Sequence, residues 1–333
     1  MTRVFLSHPK DKLAQYFGAN ATRALQAIAE ARFNPEPREL STPELIAAAK
    51  GCNVLIAYRQ TPGPDALFRE LPELVAFIRC AVDIRTVDVA AASAHGVLVT
   101  QASAGYAPAV SEWVIAEMVN LARGISRYAE AYHRGEPVAP FMGRELRGST
   151  LGVIGYGQIG RYLCDVASAL GMQLLVATPR TIVERPGLSQ VSLDTLLAGS
   201  DFVVCLAPAN AETEKLMNTQ AFATMRQGSF FINAARGELV DDEALLRALD
   251  SGHLAGCALD VGRAPDQMPT SAIARHPLVL AAPHIGGLTL PAVEHQALET
   301  VAQLSRLLDG EIPTGAVNAA HARRLSLLHK DTA

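Results

Sequence analysis

Two polar side chains stand at the ends of apolar runs, where they could act on a small organic anion. Arg236 follows the run that begins at Phe230, and an arginine there can hold a carboxylate through paired N–H bonds and polarise a carbonyl. His284 follows Pro283 after another apolar run and is the best-placed proton donor among the nine histidines. These residue types predict a site that binds a carboxylate and delivers a proton.

The elements that must position these side chains are the strands of a parallel sheet. A predicted strand precedes each of the stretches Leu206-Ala207-Pro208, Asn233-Ala234-Ala235-Arg236-Gly237, Leu259-Asp260-Val261 and Pro283-His284-Ile285-Gly286-Gly287. Because ligands bind at the carboxyl ends of the strands in an open parallel sheet, we expect these stretches to line one site. Asp260 brings a carboxylate to that edge, and Asp266 lies in the loop beyond it.

A glycine-rich turn predicts that the same sheet binds a dinucleotide. An apolar strand over 151–154 leads into Gly155-x-Gly157-x-x-Gly160, and a helix pattern and a second apolar strand over 174–177 follow. In this context the first glycine makes the tight turn, the second lets the backbone approach a pyrophosphate, and the third lets helix and strand pack closely. The free N–H groups at the start of the helix would face the phosphates. An ordinary tight turn between strand and helix is the alternative.

The residues after the second strand of this unit favour NADP over NAD. NAD-binding units place an acid there to accept from the ribose 2′-OH, whereas this chain has Thr178, Pro179 and Arg180. Without that carboxylate a 2′-phosphate is not repelled, and Arg180 could pair with it. The alternative is that Arg180 points to solvent and the site accepts either dinucleotide, so NAD stays possible.

Length and composition indicate a globular protein of two domains. The chain has 333 residues, of which 49% are hydrophobic and 19% charged, and its net charge is −4. The sequence has no basic stripe that would suggest nucleic acid and no apolar stretch long enough to span a membrane. The five cysteines are scattered in apolar runs, so we expect buried, reduced thiols of a cytoplasmic protein rather than a disulfide frame or a metal site.

Strands alternate with helices in both halves of the chain, which predicts an α/β fold with parallel sheets. The apolar patterns predict a helix over 13–31, a short helix capped by Thr42 and a long helix over 109–133. Further helices are expected over 214–225 and, closing the fold, over 292–308.

Four motifs resemble, in their order, those of the D-isomer-specific 2-hydroxyacid dehydrogenases: the glycine turn Gly155-x-Gly157-x-x-Gly160, Asn233-Ala234-Ala235-Arg236-Gly237, Ala258-Leu259-Asp260-Val261 and Pro283-His284-Ile285-Gly286-Gly287. The resemblance implies two doubly wound parallel-sheet domains with the active site in the cleft between them. A flavodoxin-like lid domain would comprise 1–102 and 291–333, and an NAD(P)-binding Rossmann domain would comprise 103–290. An arm over 120–148 resembles the family's dimerisation segment and implies a homodimer.

The resemblance also implies a mechanism, in which a hydride passes from the nicotinamide to a 2-keto carbon while His284 protonates the ketone oxygen. Arg236 would orient the substrate carboxylate and stabilise the developing charge, and Asp260 would contact the nicotinamide carboxamide. The predicted cofactor-binding residues are Gly155, Gly157, Gln158, Ile159, Gly160, Thr178, Pro179, Arg180, Leu206, Ala207, Pro208, Thr213, Ala234, Ala235, Arg236, Asp260, His284 and Gly286. The predicted substrate-binding residues are Arg59, Ala81, Val82, Asp83, Arg236 and His284.

Three positions depart from the family pattern. The acid that pairs with the histidine is usually a glutamate five residues beyond the aspartate; Pro265 stands there, so we assign the catalytic acid to the adjacent Asp266. The alternative for Asp266 is a solvated loop acid. Asp83 replaces a common glycine and would repel a substrate carboxylate unless it points away or pairs with Arg85. Arg59 could bind a carboxylate or a phosphate, or lie in solvent.

The leading hypothesis is an NADP(H)- or NAD(H)-dependent reductase of small 2-keto acids such as glyoxylate or hydroxypyruvate. The chain ends soon after the closing helix, so we expect no regulatory domain of the kind found in the longer phosphoglycerate dehydrogenases. A non-catalytic, dinucleotide-sensing protein of the corepressor kind is the alternative, because the acid loop and the lid motif are altered. Formate oxidation is a weaker hypothesis, since the family's formate dehydrogenases have a longer N-terminal extension.

Overall fold

Two parallel sheets, each formed by strands that alternate with helices, organise the chain. The computed structural model describes residues 2–328, apart from the side chain of Asp266. The chain divides into a first unit, Met1–Gly105 with Leu290–Ala333, and a second unit, Tyr106–Thr289.

The sheet of the first unit is buried on both faces. Its strands are β1 (Arg3–Leu6), β2 (Glu30–Phe33), β3 (Val54–Ala57), β4 (Ala76–Arg79) and β5 (Leu98–Gln101). The strand order β2-β1-β3-β4-β5 is that of the flavodoxin-like doubly wound fold. Because side chains alternate across a sheet, neighbouring residues enter different cores: Val4 and Ile56 lie in one core, and Phe5 and Leu55 in the other.

The sheet of the second unit has Rossmann topology. Its strands are β6 (Thr150–Ile154), β7 (Gln173–Ala177), β8 (Leu188–Gln190), β9 (Phe202–Cys205), β10 (Ser229–Asn233), β11 (Leu254–Leu259) and β12 (Val279–Ala281). They are parallel in the order β12-β11-β10-β9-β6-β7-β8, so the direction of winding reverses beside β6. In such sheets a ligand binds at that switch point. The predicted fold class, an α/β fold with two parallel sheets, is confirmed.

Helices cover the faces of both sheets. Those of the first unit are α1 (Leu13–Tyr16), α2 (Gly18–Ile28), α3 (Thr42–Ala49), α4 (Asp65–Glu70), α5 (Val89–Ala94) and α13 (Leu290–Leu308). Those of the second unit are α6 (Ala107–Arg123), α7 (Ile125–His133), α8 (Gln158–Ala169), α9 (Leu193–Gly199), α10 (Thr219–Thr224), α11 (Asp242–Asp250) and α12 (Ser271–Ala274). Short 3-10 helices occupy Gly237–Leu239, Pro265–Gln267, Ala319–His321 and Arg323–Leu327. Over residues 2–328 no helix has both the length and the apolar character that a membrane span requires.

Two predicted helices are interrupted in the structure. The single helix predicted over 13–31 is wrong, because the chain breaks at Phe17, next to Gly18 with its φ of 81°, and Glu30–Phe33 pairs with β1 as a strand. The helix predicted over 109–133 divides into α6 and α7 at Gly124, whose φ is 65°. Glycine adopts this left-handed conformation without the steric cost of a side chain, and it ends a helix there.

Two predicted helix starts are also wrong. The N-cap of α3 is Ser41 rather than Thr42, because the side chain of Ser41 and that of Glu44 form a reciprocal capping box. The helix predicted over 214–225 begins late, since the side chain of Asn218 caps α10 and the preceding residues form a loop. In both cases hydrogen bonds between side chains and backbone N–H groups select the first turn.

Candidate active site

Three loops that carry polar residues follow neighbouring strands of the second sheet. β10, β11 and β12 lie side by side, and Arg236, Asp260 and His284 follow their carboxyl ends in that order. Asp260 is buried, and Arg236 and His284 are half-buried. Because parallel strands end at a common edge, the fold brings these residues to one place.

A buried asparagine holds the loop of Arg236. Asn233 is 1% exposed; its Oδ1 accepts from the Ala235 N–H at 3.0 Å, and its Nδ2 donates to the Arg236 carbonyl at 2.9 Å. The Arg236 guanidinium also donates to the Ala235 carbonyl at 2.7 Å. The oxygen and the nitrogen of the Asn233 amide therefore both hold the backbone around Arg236. The sequence analysis named Asn233 only as part of a motif and missed this role.

Asp260 holds the turn that carries His284. Its Oδ1 accepts from the Ile285 N–H at 2.7 Å and its Oδ2 from the Gly286 N–H at 2.8 Å. His284 itself has a φ of 56°, a left-handed conformation that is uncommon for a residue with a side chain. Burial raises the pKa of Asp260, although the two N–H donors and the charge of His284 act in the opposite direction. The predicted contact of Asp260 with the nicotinamide carboxamide stays a prediction.

Helix α6 borders the same loop and adds an acid that the sequence analysis missed. A Cβ at Gly286 would come 3.8 Å from the Trp113 ring, and Glu117 is one helical turn further along α6. Asn120 donates to the Glu117 carboxylate at 3.2 Å. Burial raises the pKa of Glu117; the Asn120 bond opposes this, and the charge of Asp260 adds to it. The sequence signal that could have identified Glu117 is an acidic residue between apolar neighbours in the helix predicted over 109–133.

The turn between β6 and α8 fits a pyrophosphate. Gly155 has a φ of 97°, and a Cβ there would come 2.7 Å from the Ala207 backbone nitrogen. A Cβ at Gly160 would come 2.5 Å from the Gly155 carbonyl oxygen, whereas a Cβ at Gly157 would meet nothing within 4 Å. No side chain caps the N–H groups of the first turn of α8, where Gln158 and Ile159 lie. Open space beside these donors is what a bound phosphate group requires.

The loop after β7 is held by a side chain that sequence reasoning missed. Gln190 Nε2 donates to the carbonyls of Thr178 and Arg180 at 2.9 and 3.0 Å, and its Oε1 accepts from the Ile182 N–H at 3.1 Å. Pro179 and Arg180 are exposed. In the described part of the chain the Arg180 guanidinium has no hydrogen-bond or ion-pair partner. It is therefore available to an anion.

The loop after β9 folds upon itself beside the glycine turn. The Leu206 N–H donates to the Ile154 carbonyl at 2.8 Å, which continues the pairing of β6 and β9. The Thr213 hydroxyl donates to the Pro208 carbonyl at 2.7 Å, so this side chain closes the loop. Ala207, Ala234 and Ala235 are buried at the same edge of the sheet.

The predicted substrate residues of the first unit lie after β3 and β4. The Arg59 guanidinium lies 5.3 Å from the centroid of the Tyr16 ring. Asp83 pairs with Arg85, with 2.8 Å between Oδ2 and Nη2, as the sequence analysis required for an acid in this loop. Ala81 and Val82 are half-buried. Arg236 and His284 belong to the second unit.

The catalytic role assigned to Asp266 stays a prediction, because its side chain lies outside the described residues. Its backbone belongs to the 3-10 helix Pro265–Gln267, and Gln267 has a φ of 60°. Within the described residues, no group of three or more His, Cys, Asp or Glu side chains could hold a metal ion.

Comparison with known proteins identifies the family. Residues 115–286 match the family model of the D-isomer specific 2-hydroxyacid dehydrogenase NAD binding domain. Chloroplastic D-3-phosphoglycerate dehydrogenase 3 of Arabidopsis thaliana is 34% identical over 286 residues, which cover 84% of this chain and 49% of the relative. D-3-phosphoglycerate dehydrogenase 2 of Saccharomyces cerevisiae is 33% identical over 316 residues, which cover 90% of this chain and 67% of the relative. This chain thus spans about half the length of the plant protein.

A solved structure shares the whole fold. The glyoxylate reductase from Paecilomyes thermophila matches with a TM-score of 0.82 at 24% identity, over 96% of this chain and 99% of that one. The family-model match and the two phosphoglycerate dehydrogenases confirm the predicted family. The chain belongs to the D-isomer specific 2-hydroxyacid dehydrogenases, and its second unit contains that family's NAD-binding domain.

Proposed function

We propose that this chain is an oxidoreductase that transfers a hydride between a nicotinamide cofactor and a small 2-keto or 2-hydroxy acid. One observation carries the proposal. A guanidinium, Arg236, and an imidazole, His284, stand at one sheet edge, and the buried side chains of Asn233 and Asp260 hold their backbones. A pair of groups that binds a carboxylate and delivers a proton is what reduction of a 2-keto acid needs. The relatives named above, a glyoxylate reductase among them, give no support to the non-catalytic alternative.

The residues of the chain have separable roles in this proposal. When bound, the nicotinamide supplies the hydride, and the turn from Gly155 to Gly160 would hold the pyrophosphate. Arg236 binds the substrate carboxylate through paired N–H bonds and stabilises negative charge on the ketone oxygen. His284 gives its proton to that oxygen. Asp260 holds the turn that carries His284, and Asp266 is proposed as the acid that pairs with the imidazole.

Reduction of a panel of 2-keto acids tests the proposal. We expect loss of reduced-cofactor absorbance with acids such as glyoxylate, hydroxypyruvate or pyruvate. Substitution His284→Gln should lower kcat about 10²- to 10⁴-fold, because a general acid contributes that much. His276→Gln is the matched control, since His276 pairs with Asp250 away from this edge. No turnover with any acid, together with tight cofactor binding, would contradict the proposal.

The proposed cofactor is NADP, with NAD as the alternative. The exposed Arg180 guanidinium and the absence of an acid from the Thr178-Pro179-Arg180 stretch support it, because a 2′-phosphate meets attraction and no repulsion. We expect kcat/KM to favour NADPH over NADH and Arg180→Ala to reduce that preference. A preference for NADH that the substitution does not change would contradict this assignment.

We further propose a homodimer formed through the arm that includes residues 134–144. Met142 is 97% exposed and Phe141 43% exposed, and both line a cavity of 290 Å³ together with Leu121 and Phe230. A second copy of the chain would cover this apolar surface. Light scattering should give twice the mass of the chain, and Met142→Glu should shift the protein toward the monomer. A monomeric wild-type protein would contradict the proposal.

The proposed location is the cytoplasm. All five cysteines are buried as free thiols, which suits a reducing compartment. Fractionation of the producing cell tests this, and recovery from an oxidising compartment would contradict it.

A further inference from the structure

Arg263 lies at the carboxyl edge of the second sheet, and the proposed function gives it no role. It belongs to the loop that follows β11, whereas Arg236 belongs to the loop that follows β10. A third loop follows β9. Because β9, β10 and β11 are neighbours in a parallel sheet, their loops leave the sheet side by side. The Arg263 side chain is therefore close to the loop that carries Arg236.

The Arg263 guanidinium joins these three loops. Its Nη2 donates to the Glu238 carbonyl at 2.9 Å and its Nε to the Val240 carbonyl at 3.4 Å, both in the loop after β10. The same Nη2 donates to the Glu214 carboxylate at 2.8 Å, in the loop after β9. Hydrogen bonds from a charged donor are stronger than those between neutral groups. One side chain therefore ties the loop after β11 to both of its neighbours.

Close packing of the backbone extends this connection to Arg236. Gly237 follows Arg236 in the chain, and Gly262 precedes Arg263. A Cβ at Gly237 would come 2.2 Å from the Gly262 carbonyl carbon, so the two backbones touch at a distance that only glycine permits. A shift of one loop must therefore move the other. Asn233 holds the Arg236 backbone from the strand side, and Arg263 holds the turn that follows it.

Backbone strain is concentrated in the loops at this edge. Among the described residues, three that carry side chains have a left-handed φ: Lys215 at 51°, Gln267 at 60° and His284 at 56°. They lie in the loops after β9, β11 and β12. Such conformations persist only where surrounding contacts determine them, and they cluster at functional sites. The Lys215 N–H donates at 2.8 Å to the Glu238 carbonyl, the oxygen that Arg263 also binds, so Arg263 is part of the contacts that maintain this strain.

We propose that Arg263 is a positioning residue, which holds the loop of Arg236 so that the Arg236 guanidinium is directed at the substrate carboxylate. The inference rests on the proposed function, in which Arg236 binds that carboxylate and stabilises charge on the ketone oxygen. Arg263 acts through the carbonyls of Glu238 and Val240. A shift of about 1 Å in a catalytic group can cost on the order of 10²-fold in rate, so the position of this loop matters for the reaction.

Steady-state kinetics of Arg263→Ala test the proposal, with the 2-keto acid that the wild type reduces best. We expect KM for the keto acid to rise about tenfold and kcat to fall about tenfold, because a displaced Arg236 binds both the carboxylate and the developing charge less well. A loss of folded protein alone would lower the apparent kcat and leave KM unchanged. That pattern, or the constants of the wild type, would overturn the proposal.

Arg226→Ala is the matched control. Arg226 pairs with Asp201 at 3.0 Å in the same unit, but at the amino end of β9. Asp201 also pairs with Arg144, so its carboxylate keeps a partner in the variant. We expect Arg226→Ala to keep the kinetic constants of the wild type. Equal changes in both variants would mean that the loss of any surface arginine has this effect, and they would overturn the positioning role.

Hydrogen exchange, measured without cofactor or keto acid, separates this proposal from the proposed function. The N–H groups of Lys215 and Val240 donate to carbonyls of the loop that Arg263 holds, so both amides should exchange faster in Arg263→Ala than in the wild type. Those amides should be unchanged in Arg226→Ala. If no keto acid is reduced and exchange is faster, the proposed function fails and Arg263 still holds the loop. If keto acids are reduced and exchange at both amides is unchanged, the role of Arg263 fails and the proposed function stands.

Discussion

Asp260 supports the proposed general acid by holding the backbone N–H groups of the turn that carries His284. The N–H groups of Ile285 and Gly286 each donate to one of its carboxylate oxygens. We expect Asp260→Asn to lower kcat about 10- to 100-fold, because an amide has one acceptor oxygen in place of two and the turn that carries His284 must shift. Steady-state kinetics on the purified variant measure this.

The kinetic constants of Asp260→Asn distinguish a role in positioning His284 from a role in cofactor binding alone. If Asp260 served only the cofactor, Asp260→Asn would raise KM for the cofactor and leave kcat unchanged, which would contradict the positioning role. Asp194→Asn is the control, because Asp194 is an exposed residue of α9.

His8 links the stability of the first unit to pH. Burial and the charge of Arg79 lower its pKa to about 3, from an ordinary value of 6.5. Between these values the unfolded chain binds a proton that the folded chain does not, so the free energy of unfolding falls as pH falls, by up to about 1.4 kcal/mol per pH unit. Urea unfolding from about pH 7 to pH 4 should show a steeper loss for the wild type than for His8→Gln. Parallel pH dependences would contradict the prediction.

At the scale of elements, buried strands could be predicted and helix ends could not. β3 and β9 are apolar runs buried along their whole length, a pattern typical of parallel sheets. β2 and β8 are edge strands with polar, partly exposed residues, so their pattern does not distinguish them from a helix end or a loop. Helix starts depend on one or two side chains, such as Asn218 at α10 or Ser41 and Glu44 at α3.

The residues of the candidate site divide into those whose positions the sequence predicts and those whose contacts only the fold creates. Arg236 and His284 could be predicted because they follow recognisable strands in an ordered set of motifs. Gln190 could not, since it reaches the loop after β7 from the end of β8, and only the fold brings these two elements together.

The turn between β6 and α8 allows folding to be separated from cofactor binding. A Cβ at Gly160 would come 2.5 Å from the Gly155 carbonyl oxygen. Gly160→Ala should therefore lower the free energy of unfolding by about 1–3 kcal/mol. A Cβ at Gly157 would meet nothing within 4 Å. Gly157→Ala should therefore nearly keep the wild-type stability and weaken cofactor binding about tenfold or more, because the added methyl occupies the space of the pyrophosphate.

Thermal unfolding without cofactor measures the stability of each variant. Fluorescence titration with NADPH measures its cofactor binding. Each alanine variant is the control for the other. A strong loss of stability in Gly157→Ala, or normal stability in Gly160→Ala, would contradict the roles assigned to these glycines.

At the scale of the whole molecule, the first unit is built from both ends of the chain. Its C-terminal segment begins with α13, which packs against α2, and continues along β5, where the Val317 N–H donates to the Val99 carbonyl at 2.9 Å. The sequence predicts unit boundaries after residues 102 and 290, and the chain divides after Gly105 and Thr289. No pattern in the sequence could identify the side chains that join the two segments, because the partners lie as far as 274 positions apart.

Asn318 makes three of these connections. Its Oδ1 accepts from the Val99 N–H at 2.8 Å, and its Nδ2 donates to the Val97 carbonyl and the Ser93 hydroxyl at 2.9 Å each. Asn318→Ala would leave buried groups of β5 without partners, so we expect a loss of about 2 kcal/mol or more in the stability of the first unit. Hydrogen exchange should accelerate at the amides of β5 and stay unchanged at those of β10. The control is Gln26→Ala, at an exposed position of α2. Equal acceleration in both sheets would mean that the two units unfold together, and it would contradict the assignment of Asn318 to the stability of the first unit alone.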